Sequence, residues 1–271
     1  RQVPDPDHAI MPRRGGLTEQ RTSDFMLLAI DCGNTNTVFG VFDGDDIRGR
    51  WRISTHAQRT ADEYAVWLTQ LMSLRGLAVN DIDVAVVTTV VPGTRRNIVV
   101  FLEEYFSVSP LIVRDPNVEL GIEILIERPE QVGADRLVNA IGAHIRHPGD
   151  LVAVDFGTGT TFDIIDADGN FRGGIIAPGI NLSVEALYMT GALLPRINIE
   201  KPEKVIGGAT VPAMQSGVFW GYVSMIEGMI PRIVGEYGKP MKVVATGGLA
   251  PLFSGVTDII DAVEPDLTLV G

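Results

Sequence analysis

The chain has 271 residues, 45% hydrophobic and 21% charged, enough to build two compact domains with sizeable cores. A formal net charge of −12 argues against nucleic acid as a partner, because phosphate backbones are bound through clustered Lys and Arg. One cysteine, Cys32, excludes an intrachain disulfide framework, and with four histidines (8, 56, 144 and 147) no Cys/His zinc spacing exists, so a reducing, cytoplasmic setting is expected.

Residues 1–25 carry three prolines, mixed charge and no apolar period, and lack the hydrophobic core of a signal peptide. They read as a leader outside the fold, natural or vector-derived, with a natural start at Met26. Residues 26–31 (MLLAID) form an apolar run ending in an acid, the pattern of a buried strand. Gly33-Asn34-Thr35-Asn36 makes a turn, 37–42 a second strand, Asp43-Gly44-Asp45 a hairpin and 47–54 a third strand. Residues 60–76 place Tyr64, Trp67, Leu68, Leu71 and Leu74 at helical spacing. A strand over 83–89 and a helix from Pro92 to about Phe106 follow. No apolar run approaches the roughly 18–20 residues of a membrane span, since the longest, 83–91, is broken by Thr and Pro. No membrane partner is expected.

The pattern then restarts. Residues 151–155 (LVAVD) are a buried strand ending in an acid, Gly157-Thr158-Gly159-Thr160 a turn, 161–165 a strand, 168–170 a hairpin and 171–177 a strand. After further helices, 241–246 is a late strand followed by Gly247-Gly248 and another helix. DCGNTNTVFGVFDGD (31–45) superposes on DFGTGTTFDIIDADG (155–169) at an offset of 124, and VVTTVVPG (86–93) resembles VVATGGLA (243–250). The period is too long for a solenoid and implies two duplicated domains.

A strand that delivers an Asp into a turn of Gly, Asn and Thr suits polyphosphate. Glycine lets the backbone approach a ligand, free N–H groups and hydroxyls bind anions, and the acid pairs with a cation bridging to phosphate. One such turn is most often only a turn; two in register point to a nucleotide cleft between the domains. No Walker A sequence is present, since Gly238-Lys239 lacks the upstream glycine and the Ser/Thr, so the P-loop class is set aside.

DCGNTNT (31–37), PEQVGADR (129–136), DFGTGTT (155–161), GGIIAPG (173–179) and ATGG (245–248) together resemble the type III pantothenate kinases, with GADR between the two acid turns as the discriminating element. The resemblance runs from Met26 to Gly271. It implies an α/β fold of two duplicated ribonuclease-H-like domains of the actin/sugar-kinase superfold, divided as 26–145 and 146–271. It also implies phosphorylation of the pantothenate 4′-hydroxyl by ATP, the first step of coenzyme A synthesis, in a homodimer that requires Mg²⁺ and a monovalent cation, K⁺ or NH₄⁺. On this basis Asp135 is the general base, and Gly133, Ala134, Asp135 and Arg136 contact substrate. Arg136 is a donor to the pantothenate carboxylate or to the moving phosphoryl group. Asp31 is the magnesium-side acid, and Cys32, Gly33, Asn34, Thr35, Asn36, Thr37 and Val38 line the ATP phosphates. Asp155 holds the monovalent cation, Thr158 contacts ATP, and Gly247 and Gly248 let adenosine lie on backbone.

Alternatives stay open at several positions. Asp135 also suits a helix start, ahead of an apolar-periodic helix over 137–145. Thr210 matches a family threonine that touches pantothenate, and equally suits the N-cap of a helix from about Pro212. Cys32 reads as a small core residue rather than a nucleophile. Ile126 stands where relatives often carry a Tyr lining the substrate pocket, and the resemblance implies a short further segment beyond LTLVG (267–271). The 210–237 stretch reads as one long helix whose Val218, Phe219, Tyr222, Val223, Ile226 and Ile230 are a stripe wide enough for the domain core and a dimer partner. The competing functions are another small-molecule kinase of the same superfold and a catalytically silent regulatory relative.

Overall fold

Strand β1 (Met26–Cys32) pairs antiparallel with β2 (Asn36–Asp43), which pairs antiparallel with β3 (Asp46–Ser54) through the turn at Gly44, whose φ of 62° favours glycine. Strand β4 (Ile82–Thr89) returns parallel to β1, and β5 (Leu111–Ile112) lies parallel to β4, giving the order β3-β2-β1-β4-β5. These coordinates come from a computed structural model, which describes residues 25–191 and 193–271; the proposed leader, apart from Phe25, lies outside them.

Helix α1 (Ala61–Ser73) starts where expected because Thr60 and Glu63 form a reciprocal capping box. Its Tyr64, Leu68 and Met72 recur every four residues and are fully buried, together with Phe39, Val87 and Ile98, in the core of the first unit. Leu74, placed on the helical face by its spacing, sits at the C-cap and is exposed. Helix α2 (Pro92–Phe101) takes Pro92 at its first turn, where a missing N–H is harmless, and runs on through a wider π-turn at Leu102–Phe106.

The second unit repeats the plan. Strands β6 (Leu151–Phe156), β7 (Gly159–Ile165) and β8 (Phe171–Pro178) form the antiparallel meander. Strands β9 (Lys242–Thr246) and β10 (Ala262–Val263) add parallel to it, in the order β8-β7-β6-β9-β10. Each strand therefore has its counterpart in the first unit, with the same pairing sense. Helices α3 (Ala134–Arg146), α4 (Ile180–Thr190), α5 (Thr210–Tyr237), α6 (Ala250–Ser254) and α7 (Leu267–Val270) complete it. Val154, Phe162, Phe219, Ile226 and Phe253 centre its core.

The boundary differs from the sequence-based one. The first unit ends at Gly121, and the second is Ile122–Gly271. Helix α3, assigned by sequence to the first domain, packs on β6, β7 and α7, burying Leu137, Val138, Ala140 and Ala143. An apolar helical face goes where the partner surface is, and periodicity does not name the partner.

Candidate active site

In the first unit the Asp31 turn is closed by Gly33 N–H donating to the Asn36 carbonyl at 3.0 Å. Thr55, at the end of β3, holds it from the side. Its N–H donates to Thr35 O (2.9 Å) and its hydroxyl to Gly33 O (2.7 Å). Asn34 and Thr35 are exposed on the turn, and Asn36 and Val38 are half-buried. Cys32 and Thr37 differ from the expected phosphate-lining role, because both side chains are fully buried. The Thr37 hydroxyl reaches Cys32 Sγ (3.3 Å) and Thr55 (2.9 Å), and Thr94 of α2 meets the same sulfur at 3.2 Å. They brace the turn from beneath.

The corresponding turn of the second unit is closed the same way, Gly157 N–H donating to Gly159 O at 3.1 Å. Gly179, which caps α4, packs so tightly on Thr158 that a Cβ there would come within 2.1 Å of the Thr158 carbonyl. Tyr222 of α5 donates to Pro178 O and meets the Thr160 hydroxyl at 3.0 Å, tying α5 to this corner.

Asp155 stands at the end of β6. One carboxylate oxygen, Oδ2, accepts from Asn139 Nδ2 of α3 at 3.1 Å. The other lies beside glycine: a Cβ at Gly247, whose φ is +90°, would come within 2.5 Å of Oδ1 and 2.7 Å of Phe156 O. Gly247 is thus required for this packing, a role its sequence context did not reveal, while Gly248 has open space around it. Asp155 Oδ1 and the Phe156 carbonyl both lie against the Gly247 backbone, and such oxygens are the donor type that a hard cation takes. Among the described residues no cluster of three His, Cys, Asp or Glu side chains could hold a metal, so a divalent ion would depend on phosphate oxygens for much of its shell. Burial pushes the Asp155 carboxyl up to about 6; the Asn139 amide opposes this, and the negative charge of Asp135 adds to it.

That Asp135 influence reflects α3. The helix begins at Ala134, with Gly133 as N-cap, so GADR is its first turn rather than a loop ahead of it, and an acid there is favoured by the helix dipole. Asp135 is half-buried, and its Oδ1 accepts from the Arg136 N–H at 2.9 Å. Asn139, four residues on and so on the same face, is buried.

Arg136 is not a free donor. Its Nε donates to Asp163 Oδ1 of β7 at 2.7 Å, Nη2 lies 2.5 Å from the same oxygen, and the guanidinium stacks over Phe171, 5.3 Å from the ring centre. Asp163 is fully buried, and burial pushes its carboxyl up to about 7 against the pull of Arg136. Sequence reading missed Asp163 and Asn139; the available signal was an ionisable or amide residue at a position whose neighbours are core. Gly174 is likewise demanded, since a Cβ would meet Arg136 Nη2 at 2.3 Å. Ile126 faces Gly173 of β8 and, with Glu127, Arg128 and Gln131, lines an open hollow before α3.

Thr210 is the first residue of α5, exposed, with Ala209 in the N-cap position and no side-chain cap bond, so the capping reading fails. The expected partner stripe of α5 is also corrected. Val218, Phe219, Tyr222, Val223, Ile226 and Ile230 are all buried by their own unit.

The family profile of the type III pantothenate kinases matches residues 27–232. The chain belongs to this family. A type III pantothenate kinase of Rhodospirillum rubrum is 58% identical over 246 residues, covering 91% of this chain and 96% of its own. That of Paramagnetospirillum magneticum is also 58% identical, covering 91% and 95%. A Sinorhizobium meliloti protein described as a 2-dehydro-3-deoxygalactonokinase shares the α/β fold at a TM-score of 0.53 and 12% identity, over 90% of this chain and 93% of that one. The fold is that of the actin-like kinases. Among the described residues no helix is long and apolar enough to cross a membrane.

Proposed function

We infer that this chain transfers the γ-phosphoryl group of ATP to the 4′-hydroxyl of pantothenate, giving 4′-phosphopantothenate and ADP, the step that opens coenzyme A synthesis. The observation that carries the reading is the match to the type III pantothenate kinases over residues 27–232, which includes Asp135 in the first turn of α3. Asp135 accepts the hydroxyl proton as the oxygen attacks phosphorus. One of its oxygens is occupied by the Arg136 N–H, which leaves the other for the substrate. Gly133, Ala134 and Thr210 are assigned to the pantothenate side, with Ile126 as an apolar wall. Arg136 joins them through the N–H groups that Asp163 leaves over.

The Asp31 turn, with Gly33, Asn34, Thr35, Asn36 and Val38, is assigned to ATP phosphate, as are Thr158 and the open backbone at Gly248. Asp31 would be the acid on the Mg²⁺ side, and that ion would supply neutralisation of phosphate charge. Asp155 is assigned to K⁺ or NH₄⁺. The reaction is placed in the cytoplasm, consistent with one buried cysteine and small anionic substrates, and nucleic acid has no part in it.

The protein is further proposed to act as a homodimer. With the α5 stripe used internally, the apolar surface left for a partner is on α4 and the segment after it. Leu182, Met189, Leu193, Val205 and Ile206 are each more than half exposed. A coupled assay with ATP and pantothenate, with and without K⁺, tests the activity. Turnover only with pantothenate, and not with sugars or acetate, is expected. An inactive protein, or one that prefers another acceptor, overturns the reading.

A further inference from the structure

Asn139 is 1% exposed, and both ends of its amide are engaged. Nδ2 donates to Asp155 Oδ2 at 3.1 Å, and Oδ1 accepts from the Thr268 hydroxyl of α7 at 2.7 Å. The sense of this relay is fixed by chemistry. A reversed amide would set its oxygen against a carboxylate oxygen, whereas the observed sense satisfies donor and acceptor at every link. With Oδ2 occupied, Oδ1 is the oxygen turned to the glycine-lined side, next to Gly247 and the Phe156 carbonyl.

The frame around the relay is tight. A Cβ at Gly142 would come within 2.4 Å of Leu267 O, so α7 lies directly on the backbone of α3. At the far end of α3, His147 Nε2 meets Glu264 Oε1 at 2.8 Å, and Lys242 Nζ meets His147 Nδ1 at 2.8 Å. The segment that delivers Thr268 is therefore anchored to α3 at two places. A buried amide held at both ends cannot rotate without losing a hydrogen bond, and an unsatisfied buried polar group is costly.

We propose that Asn139 and Thr268 are positioning residues for Asp155, holding its carboxylate so that Oδ1 is presented to the monovalent cation. This rests on the assignment of Asp155 to that cation, and it gives α7, remote in sequence from both acid turns, a part in cation selection.

The test compares wild type with Thr268→Val, Thr268→Ser, Asn139→Leu and Asp155→Asn in the full chain. Two quantities are read: the K⁺ concentration for half-maximal rate, and the K⁺-dependent rise in melting temperature at a fixed concentration of a non-hydrolysable ATP analogue. Thr268→Val, nearly isosteric, is expected to raise the K⁺ requirement about three- to tenfold, the loss of one hydrogen bond. It should shrink the K⁺-dependent thermal shift and leave KM for pantothenate within about twofold. Thr268→Ser, which keeps the hydroxyl, should restore both, and Asn139→Leu should exceed Thr268→Val. If Asn139→Leu does not fold, Thr268→Val decides alone. A Thr268→Val protein that melts lower without ligand yet keeps the wild-type K⁺ requirement, while Asp155→Asn loses its K⁺ response, overturns the positioning role and spares the cation assignment. A wild-type K⁺ response in Asp155→Asn overturns both.

Discussion

Asp135 and Asp155 are both carboxylates in one small region of the second unit, and their surroundings give them different tasks. Asp135 is half-buried in the first turn of α3, with one oxygen accepting from the Arg136 N–H. Asp135→Asn keeps the volume and the hydrogen bond from Arg136 but cannot accept a proton. The expected fall in kcat is about 10²–10⁴-fold, with a change in stability of about 1 kcal/mol or less. A fully active, stable variant in a coupled assay would end the general-base assignment. Asp155 is more deeply enclosed. Its folded pKa, about 6, lies above the ordinary 3.8, so the folded chain holds the proton longer than the unfolded one. Between about pH 4 and 6 the ligand-free protein therefore loses stability through this group as pH rises, and below about pH 4 the effect disappears. The loss is on the order of 1–3 kcal/mol, since each pKa unit corresponds to about 1.4 kcal/mol. Asp155→Asn should lack that slope and, without ligand, melt above wild type at pH 7.5 while losing activity. Equal melting temperatures at that pH would show that burying this acid costs nothing.

The element that most constrains Asp155 is the β9–α6 turn, and it separates two adjacent glycines. Gly247→Ala meets a left-handed φ of +90° and the Asp155 carboxylate at 2.5 Å, whereas Gly248→Ala meets nothing within 4 Å. Gly247→Ala is expected to destabilise the ligand-free protein by more than about 1 kcal/mol in urea denaturation, and Gly248→Ala to stay within a few tenths. Equal effects would sink the distinction. The sequence presents these two residues as a pair, and the difference between them is legible only in three dimensions. The same holds for the partners of α3. The duplicated strand–turn–strand pattern is readable because it is local: apolar runs ending in Asp31 and Asp155, each followed by a glycine turn, a strand and a hairpin. The pairing of Arg136 with Asp163, 27 residues away, and of Thr268 with Asn139, 129 away, depends on which sheet α3 packs against. Periodicity shows that α3 has an apolar face but is silent on its partner, so the sequence-based boundary differs from the one between the two units, and the two-residue edge strands β5 and β10, too short to carry a pattern, were not foreseen. On α5 the same limit hid how much of the apolar stripe its own core would consume.

At the scale of the molecule, the two units have separate cores and sheets of matching order, so each has its own means of stability. What the second unit does not bury is a run of large apolar side chains on α4 and the segment leading to α5, where Met189 is 76%, Leu193 93% and Ile206 87% exposed. Single exposed apolar residues need no explanation, but this density along one stretch does. The segment is nonetheless fastened to its own unit. Arg196 pairs with Glu185 at 3.0 Å and covers Tyr188, and Gln215 reaches Glu200 at 2.6 Å, so side-chain contacts link this stretch to α4 and α5. A specific dimer interface buries about 1,200–2,000 Å² in total, and these side chains are the apolar surface that α4 and the following segment offer to it. The expected outcome is a dimer in sedimentation velocity at micromolar concentration. Met189→Asp combined with Leu193→Asp should shift it to monomer without lowering the melting temperature of the isolated chain by more than a few degrees, because neither side chain packs in the core. The proposed interface adjoins α5, whose first residue is the substrate-side Thr210, so the monomeric variant should also show a raised KM for pantothenate. A wild-type protein that sediments as a 29.3 kDa monomer with full activity refutes the dimer, and a double variant that remains dimeric places the interface elsewhere.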